Sequence, residues 1–407
     1  MIQQKSIYLV MVTPDGNHNK YYRMIPNVPD AAHFTAEYGR VGATCMKKIY
    51  PLSSFDNIYE EKLKKGYIDK SSLHNIHVSM EQKYAPIADP SVNWLVQTLL
   101  DCANKAFKAK YVCSMDSVSV EMIEQAQNLI LDLSQSDSVV SFNNILLSLY
   151  TVIPRRISNV NESLAKEPSD MANILEKEQA LLDFTNGQTH KNKTIANVST
   201  TNSQTYLDSV GVQISECSDE ESGEILKYLK RDSSFNPKLF YKAFRVSNST
   251  TEQHFQNFLS KNHLNEKKDT RMYYHGSNNR NWDGLIVNGP LLNPNAICCG
   301  KNFGQGIYFA NSAEKSRRYT SMCDYVRDTK GNLAFIGVYK VAIGKPLHVK
   351  GPDLKKNWKH FSQKDIIKLG RDCLYAHKNV NYSLYHDEIV IFREEQATIR
   401  YLIALKS

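Results

Sequence analysis

The spacing of apolar residues changes along the chain, and each change predicts a different kind of structure. In residues 1–74, Tyr8-Leu9-Val10-Met11-Val12 reads as a strand, and Asp15-Gly16 opens a polar turn before Lys20-Tyr21-Tyr22. The helical spacing of 55–67, which carries Lys62, Lys64 and Lys65, completes a small strand-rich domain. Residues 75–91 are mostly polar, contain Pro86 and Pro90, and read as a linker. From 92 to 184 the period becomes helical. Leu95, Leu99 and Ala103 repeat at i, i+4, with Trp94 and Leu100 widening the stripe, and the pattern recurs over 122–133, 142–150 and 171–184. Ser169 and Asp170 are candidate caps for the last of these, and the set predicts an all-α bundle. Residues 185–205 are rich in Asn, Thr, Ser and Lys with almost no large apolar side chain, so a second linker is expected there. Beyond it, 206–407 mixes periods. A helix over 219–230 opens on the capping-box pair Ser218 and Glu221, while 333–341, 389–392 and 399–405 have strand patterns. The expected fold class is multidomain α+β.

Composition narrows this picture without deciding it. At 407 residues with 42% apolar and 23% charged positions, the chain is long enough for two or three domains with proper cores. Its longest apolar runs are short, and the N-terminus lacks the apolar core of a secretory signal, so an intracellular protein without membrane contact is expected: nuclear in a eukaryote, cytoplasmic if bacterial or phage-encoded. Eight cysteines are scattered with no CxxC spacing, only Cys298 and Cys299 being close, which predicts reduced thiols, no zinc finger and no metal. The formal charge of +8 permits contact with polyanions.

Candidate chemistry concentrates between 273 and 320. Tyr274-His275-Gly276-Ser277 is followed by Phe303-Gly304-Gln305-Gly306-Ile307-Tyr308-Phe309-Ala310 and by Lys315-Ser316-Arg317-Arg318-Tyr319. Glycines let backbone amides approach closely, and hydroxyls and aromatic faces lie nearby, as a flat, amide-bearing heteroaromatic ligand requires. Gly304 and Gly306 read as a turn feeding a short strand that aims Tyr308. No GxGxxG follows a strand, which argues against a Rossmann dehydrogenase.

This ordered set resembles the catalytic signature of the poly(ADP-ribose) polymerase family, built from a His, a Tyr and a Glu on separate segments. Tyr385-His386-Asp387-Glu388-Ile389-Val390-Ile391-Phe392 supplies the third member, Glu388. The resemblance implies His275, Tyr308 and Glu388 as catalytic residues, and an NAD+ site formed by His275, Gly276, Ser277, Tyr308, Phe309, Ala310, Lys315, Ser316 and Tyr319. Within it, His275 and Ser277 would hold the adenosine-side ribose, Gly276 and Ser316 the carboxamide, and Tyr308 and Tyr319 the two faces of the nicotinamide ring. NAD+ is then a substrate, and no cofactor is expected. Breaking its N-glycosidic bond develops an oxocarbenium-like centre, where a carboxylate stabilises charge and activates an acceptor hydroxyl.

The resemblance extends upstream. Tyr38-Gly39-Arg40 is similar to the Trp-Gly-Arg signature of the WGR domain in DNA-dependent family members, with Tyr38 in place of Trp, and implies a DNA-binding role for these three residues. The all-α segment 92–184 resembles the family's helical regulatory domain, notably at Leu149-Tyr150-Thr151-Val152-Ile153-Pro154, although Met115-Asp116-Ser117-Val118-Ser119 stands where a Pro-Leu-Gly turn is usual. Residues 206–407 match the catalytic domain. The implied activity is ADP-ribosyl transfer stimulated by DNA ends or nicks, forming polymer on protein acceptors, automodification included. His386 replaces a Tyr common in elongating members and Leu291 an Arg, so transfer of a single unit stays open, as does an inactive DNA-end scaffold.

Overall fold

A computed structural model describes residues 5–27, 30, 32–71, 84–196, 204–293, 302–323, 331–350, 358, 361–379 and 384–407, with 192–196 described as backbone only. Cys298, Cys299 and residues 75–83 and 197–203 of the two expected linkers lie outside them. The described residues form two compact units, one drawn from 1–82 and 105–189, the other from 83–104 and 190–407.

In the first unit, alternating apolar positions build an antiparallel sheet. Strands β1 (Ile7–Thr13), β2 (His18–Pro26), β3 (His33–Arg40), β4 (Met46–Pro51) and β5 (Ile68–Asp69) lie in the order β4-β3-β2-β1-β5. Helix α1 (Phe55–Lys64) adds Phe55 to a core of Leu9, Tyr22, Met24, Phe34 and Ala36. The helices that follow are α2 (Pro90–Lys110), α3 (Val120–Ser134), α4 (Val139–Val152), α5 (Val160–Ser163) and α6 (Pro168–Ala196). Helices α3 and α4 are capped by Ser119 and Ser138, each of whose hydroxyls accepts from the backbone N–H three residues on. Ser169 and Asp170, expected to cap α6, fall inside its first turn, where Asp170 Oδ2 accepts backward from the N–H groups of Lys166 and Glu167 at 2.9 and 3.1 Å.

The strand-rich module and most of the helical segment fall in one compact unit. The linker expected at 185–205 begins inside α6, because its polar side chains are satisfied within the fold. Thr185 and Thr189 hydroxyls donate to the carbonyls four residues back, and Tyr111 bonds Thr185 at 3.1 Å.

The buried amide of Asn19 donates from Nδ2 to the carbonyls of Arg155 and Ile157, both at 3.1 Å. Arg155 is itself buried, paired with Glu178 and lying over the Tyr111 ring. Asn19→Ala leaves two carbonyls short of a donor and is expected to destabilise this unit by about 1–3 kcal/mol. A thermal midpoint unchanged from wild type would contradict that accounting.

The second unit is organised on a nine-stranded sheet. Its strands are β6 (Val212–Glu216), β7 (Phe240–Asn248), β8 (Thr270–Gly276), β9 (Ile307–Ala310), β10 (Leu333–Ala342), β11 (Pro346–Val349), β12 (Cys373–Ala376), β13 (Glu388–Ile391) and β14 (Ala397–Lys406). Their order is β11-β12-β13-β9-β8-β10-β14-β7-β6, with only β11 and β12 parallel. Around it lie α7 (Tyr206–Ser209), α8 (Asp219–Leu229), α9 (Ser249–Lys261), α10 (Glu266–Asp269), α11 (Trp282–Asn288), α12 (Ala313–Arg317) and α13 (Gln363–Lys368). The expected capping box at Ser218 and Glu221 is present. Residues 83–104 belong here: Val92, Leu95, Val96 and Leu99 of α2 join a core with Tyr206, Phe244, Trp282 and Leu402. Among the described residues, no helix is long and apolar enough to cross a membrane.

Candidate active site

The site forms where three central strands end beside a short helix. β8 ends in His275 and Gly276, β9 carries Tyr308 to Ala310, and β13 starts at Glu388. Register pairs Tyr274 with Ala310 and Ala310 with Glu388, so residues far apart in sequence meet by strand adjacency. Helix α12 is held at its start by the Ser312 hydroxyl, which accepts from Lys315 N at 3.0 Å, and by Asp232, which accepts from Ser312 Oγ at 2.5 Å and Glu314 N at 3.1 Å. That anchoring presents Lys315, Ser316 and Tyr319 to the strand ends.

A cavity of about 190 Å³ results, lined by Tyr274, His275, Gly276, Tyr308, Phe309, Ala310, Lys315, Ser316, Tyr319 and Glu388. His275, Tyr308 and Glu388 thus share one wall system, as the motif pattern anticipates. Of the nine residues expected to contact NAD+, only Ser277 is missing from this lining. It lies one residue past the end of β8, and its hydroxyl accepts from Asn281 Nδ2 at 2.8 Å. Tyr274 joins the lining although the motif reading gave it no role.

The side chains are fixed individually. His275 packs among Trp282, Phe309 and Tyr339, with ring centroids 5.6 to 6.3 Å away, and its Nδ1 lies 2.9 Å from the Tyr308 carbonyl. A carbonyl only accepts, so Nδ1 carries the proton and Nε2 of the neutral ring is left as an acceptor. Burial pushes the His275 pKa below the usual value, against the opposing effect of its bond to that carbonyl. Tyr308 Oη donates to Gly304 O at 2.9 Å and accepts from Phe303 N at 3.0 Å, which pins the phenol to the turn. Gly304 itself, at φ +103, has a Phe361 carbonyl 2.4 Å from where a Cβ would stand.

Glu388 is 7% exposed. Its Oε1 accepts from Lys315 Nζ at 2.5 Å, and its buried Oε2 has no hydrogen-bond partner among the described residues. Burial lowers the Lys315 pKa, while the Glu388 carboxylate acts to raise it. An unpartnered buried carboxylate oxygen costs free energy, which a ligand hydroxyl placed there recovers. The motif reading gave Lys315 to the ligand alone and missed this pairing. No spacing rule links residues 315 and 388; only the strand order does. It also missed the aromatic wall of Trp282 and Tyr339, whose positions look like ordinary core.

His275 makes a testable statement about pH. A group whose pKa is depressed stays neutral through the usual histidine range of about 6.5 and gains its proton only at lower pH. Nicotinamide release per unit NAD+ is expected to hold level as pH falls through 6.5 and to drop below it. A histidine-dependent acid limb centred above that value would contradict the assignment.

The cavity thus joins a buried carboxylate, a neutral imidazole and a phenol, and the similarities of the chain say what such a set is used for. Residues 219–407 match the family model of the poly(ADP-ribose) polymerase catalytic domain. An uncharacterized protein, 101L, of Invertebrate iridescent virus 6 is 34% identical over 187 residues, covering 45% of this chain and 77% of the viral one. Poly [ADP-ribose] polymerase 2-A of Oryza sativa subsp. japonica is 22% identical across 95% of this chain and 67% of its own. Poly [ADP-ribose] polymerase 1 of Danio rerio is 23% identical across 72% of this chain but only 30% of its own. The class is therefore an NAD+ ADP-ribosyltransferase, with NAD+ as substrate. The chain belongs to the poly(ADP-ribose) polymerase family.

Proposed function

We propose that Glu388, His275 and Tyr308 perform ADP-ribosyl transfer to protein acceptors, polymer formation included, and that DNA ends or nicks stimulate it. The observation that carries the catalytic part is the single cavity holding Glu388, with its unpartnered Oε2, opposite His275 and Tyr308. The bond from the ribose anomeric carbon to the nicotinamide nitrogen breaks, and its electron pair leaves with neutral nicotinamide. An acceptor oxygen then bonds to the same carbon and passes its proton to Glu388. His275 Nε2 accepts from a ribose hydroxyl, Gly276 and Ser316 hold the carboxamide, and Tyr308 and Tyr319 flank the ring. Phe309, Ala310 and Lys315 complete the wall, and Ser277 acts from beyond the cavity.

DNA stimulation rests on the WGR-like character of 1–74 and the helical regulatory character of 92–184, with 206–407 catalytic. Tyr38 stacks on Tyr22 at 5.5 Å, keeping an aromatic platform. Arg40 is otherwise engaged: its guanidinium donates to the carbonyls of Asn17, Ile157 and Ser158. We therefore assign Arg40 to holding the helical segment and leave phosphate contact to the exposed Lys48 and Lys64 of the same module. Polymer formation is supported by the names of the rice and zebrafish relatives, whereas His386 and Leu291 favour transfer of a single unit. Nicotinamide release with and without a nicked DNA duplex, followed by gel resolution of the product, decides both questions. Equal rates in the two arms end the DNA reading, discrete single-unit products end the polymer reading, and no release at all leaves a scaffold.

A further inference from the structure

Asp387, the residue before Glu388, receives three hydrogen bonds from three places in the chain. Its Oδ2 accepts from Asn311 Nδ2 at 3.0 Å and from Tyr375 Oη at 2.7 Å, and its Oδ1 accepts from the backbone N–H of Lys378 at 2.8 Å. Asn311 immediately follows β9, Tyr375 lies within β12, and Lys378 stands two residues past the end of β12. Those two strands flank β13, and they pair Glu388 with Ala310 on one side and Ala376 on the other. One carboxylate therefore ties together both neighbours of β13 at the level where that strand begins.

We propose that Asp387 is a positioning residue that sets where the Glu388 carboxylate stands in the cavity, an inference that rests on the reading of Glu388 as the catalytic carboxylate. Ile389, Val390 and Ile391 are completely buried and held by the ladder on both sides, so the body of β13 has no need of the clamp. Glu388 is different. It is the terminal residue of the ladder, where strands fray, and its side chain has one bond, to Lys315, with Oε2 unpartnered. The bonds on Asp387 supply the missing constraint one residue earlier. They are also directional: Asn311 presents an amide N–H, which only an acceptor at 387 satisfies.

The test uses the full chain, assayed for nicotinamide release from NAD+ with nicked DNA present. Asp387→Asn keeps the volume but leaves one acceptor oxygen for three converging donors, so its amide N–H must face either the Lys378 N–H or the Asn311 and Tyr375 donors. A displacement of about 1 Å at a reacting group costs on the order of 100-fold in rate, so kcat is expected to fall roughly 10- to 100-fold. KM for NAD+ and calorimetric binding of nicotinamide are expected to stay within about threefold, since the ring site is untouched. Asn311→Asp is expected to be equally impaired, because two carboxylates then face each other. Combining Asp387→Asn with Asn311→Asp restores a donor facing an acceptor with the roles exchanged, and is expected to recover most of kcat. A merely structural role predicts a lower melting temperature with kcat intact, or a double variant no better than the singles, and either result overturns the proposal. Glu388→Gln is run alongside. If that variant keeps full kcat, the active-site reading fails and takes the proposal with it; if it loses activity while Asp387→Asn keeps it, only the proposal fails.

Discussion

Replacing Glu388 with Gln lowers kcat for nicotinamide release by about 10²- to 10⁴-fold, with KM for NAD+ changed only a few-fold. The substitution keeps the shape of the side chain and removes its charge. In the native cavity that charge is buried and half-satisfied: Oε1 accepts a hydrogen bond from Lys315 Nζ, while Oε2 has no partner among the described residues. A fixed negative group of this kind interacts weakly with the neutral ribose of the ground state and strongly with the positive charge that develops as nicotinamide departs. The loss therefore falls on kcat. It also frees Lys315 from its counter-ion, so the variant keeps an uncompensated ammonium in the cavity, and this adds to the barrier. Steady-state kinetics on the full chain measures it. A variant whose deficit appears in KM with kcat unchanged would mean that Glu388 only binds.

The second large effect is expected at Gly276. A methyl group there would stand 1.8 Å from the Ser316 carbonyl oxygen and 2.6 Å from its carbon. Both atoms are backbone, so no rotamer change relieves the overlap. β8 and α12 must separate by more than an ångström, or β8 must slip against β10, where Gly276 pairs with Ile336. Gly276→Ala is accordingly expected to destabilise the protein by about 1–3 kcal/mol, the usual cost of overpacking. It is also expected to raise KM for NAD+ about 100-fold, because separation displaces Ser316 and Tyr319 from His275. Calorimetry with nicotinamide and a thermal melt check the two parts. Wild-type affinity in a folded Gly276→Ala protein would show that the close approach has no part in ligand binding.

The sequence reading and the structure agree where local pattern decides the outcome. Short apolar runs became β1, β10, β13 and β14, the i, i+4 stripes became α2 to α4 and α6, and the Ser218 capping box opens α8 as expected. The catalytic stretch was legible for a different reason: its order of residue types resembles a known family signature, even though nothing in its spacing shows that 275, 308 and 388 meet. Strand order brings them together, and strand order is not written locally. The same cause hid the Lys315–Glu388 pair and the Asp387 clamp. Errors of the opposite sort arose where polar composition was read as solvent exposure. Thr185, Gln188, Thr189 and Lys191 look like linker residues yet are all buried, the two threonines bonded to helix carbonyls and Lys191 to Asp283 at 2.8 Å. Arg40 has partners that the sequence equally does not show, since a guanidinium that suits phosphate also suits the loop carbonyls of Ile157 and Ser158.

The first half of α2 has a practical bearing on dissecting the molecule. A fragment cut to begin at 206, where the catalytic homology invites it, would strip Val92, Leu95, Val96 and Leu99 from the sheet they cover, uncovering surface worth about 1.5–3 kcal/mol for each side chain. Such a fragment is a recipe for inclusion bodies, and its silence in an assay would say nothing about regulation. Excising only 105–189 while retaining 84–104 leaves that greasy seam closed.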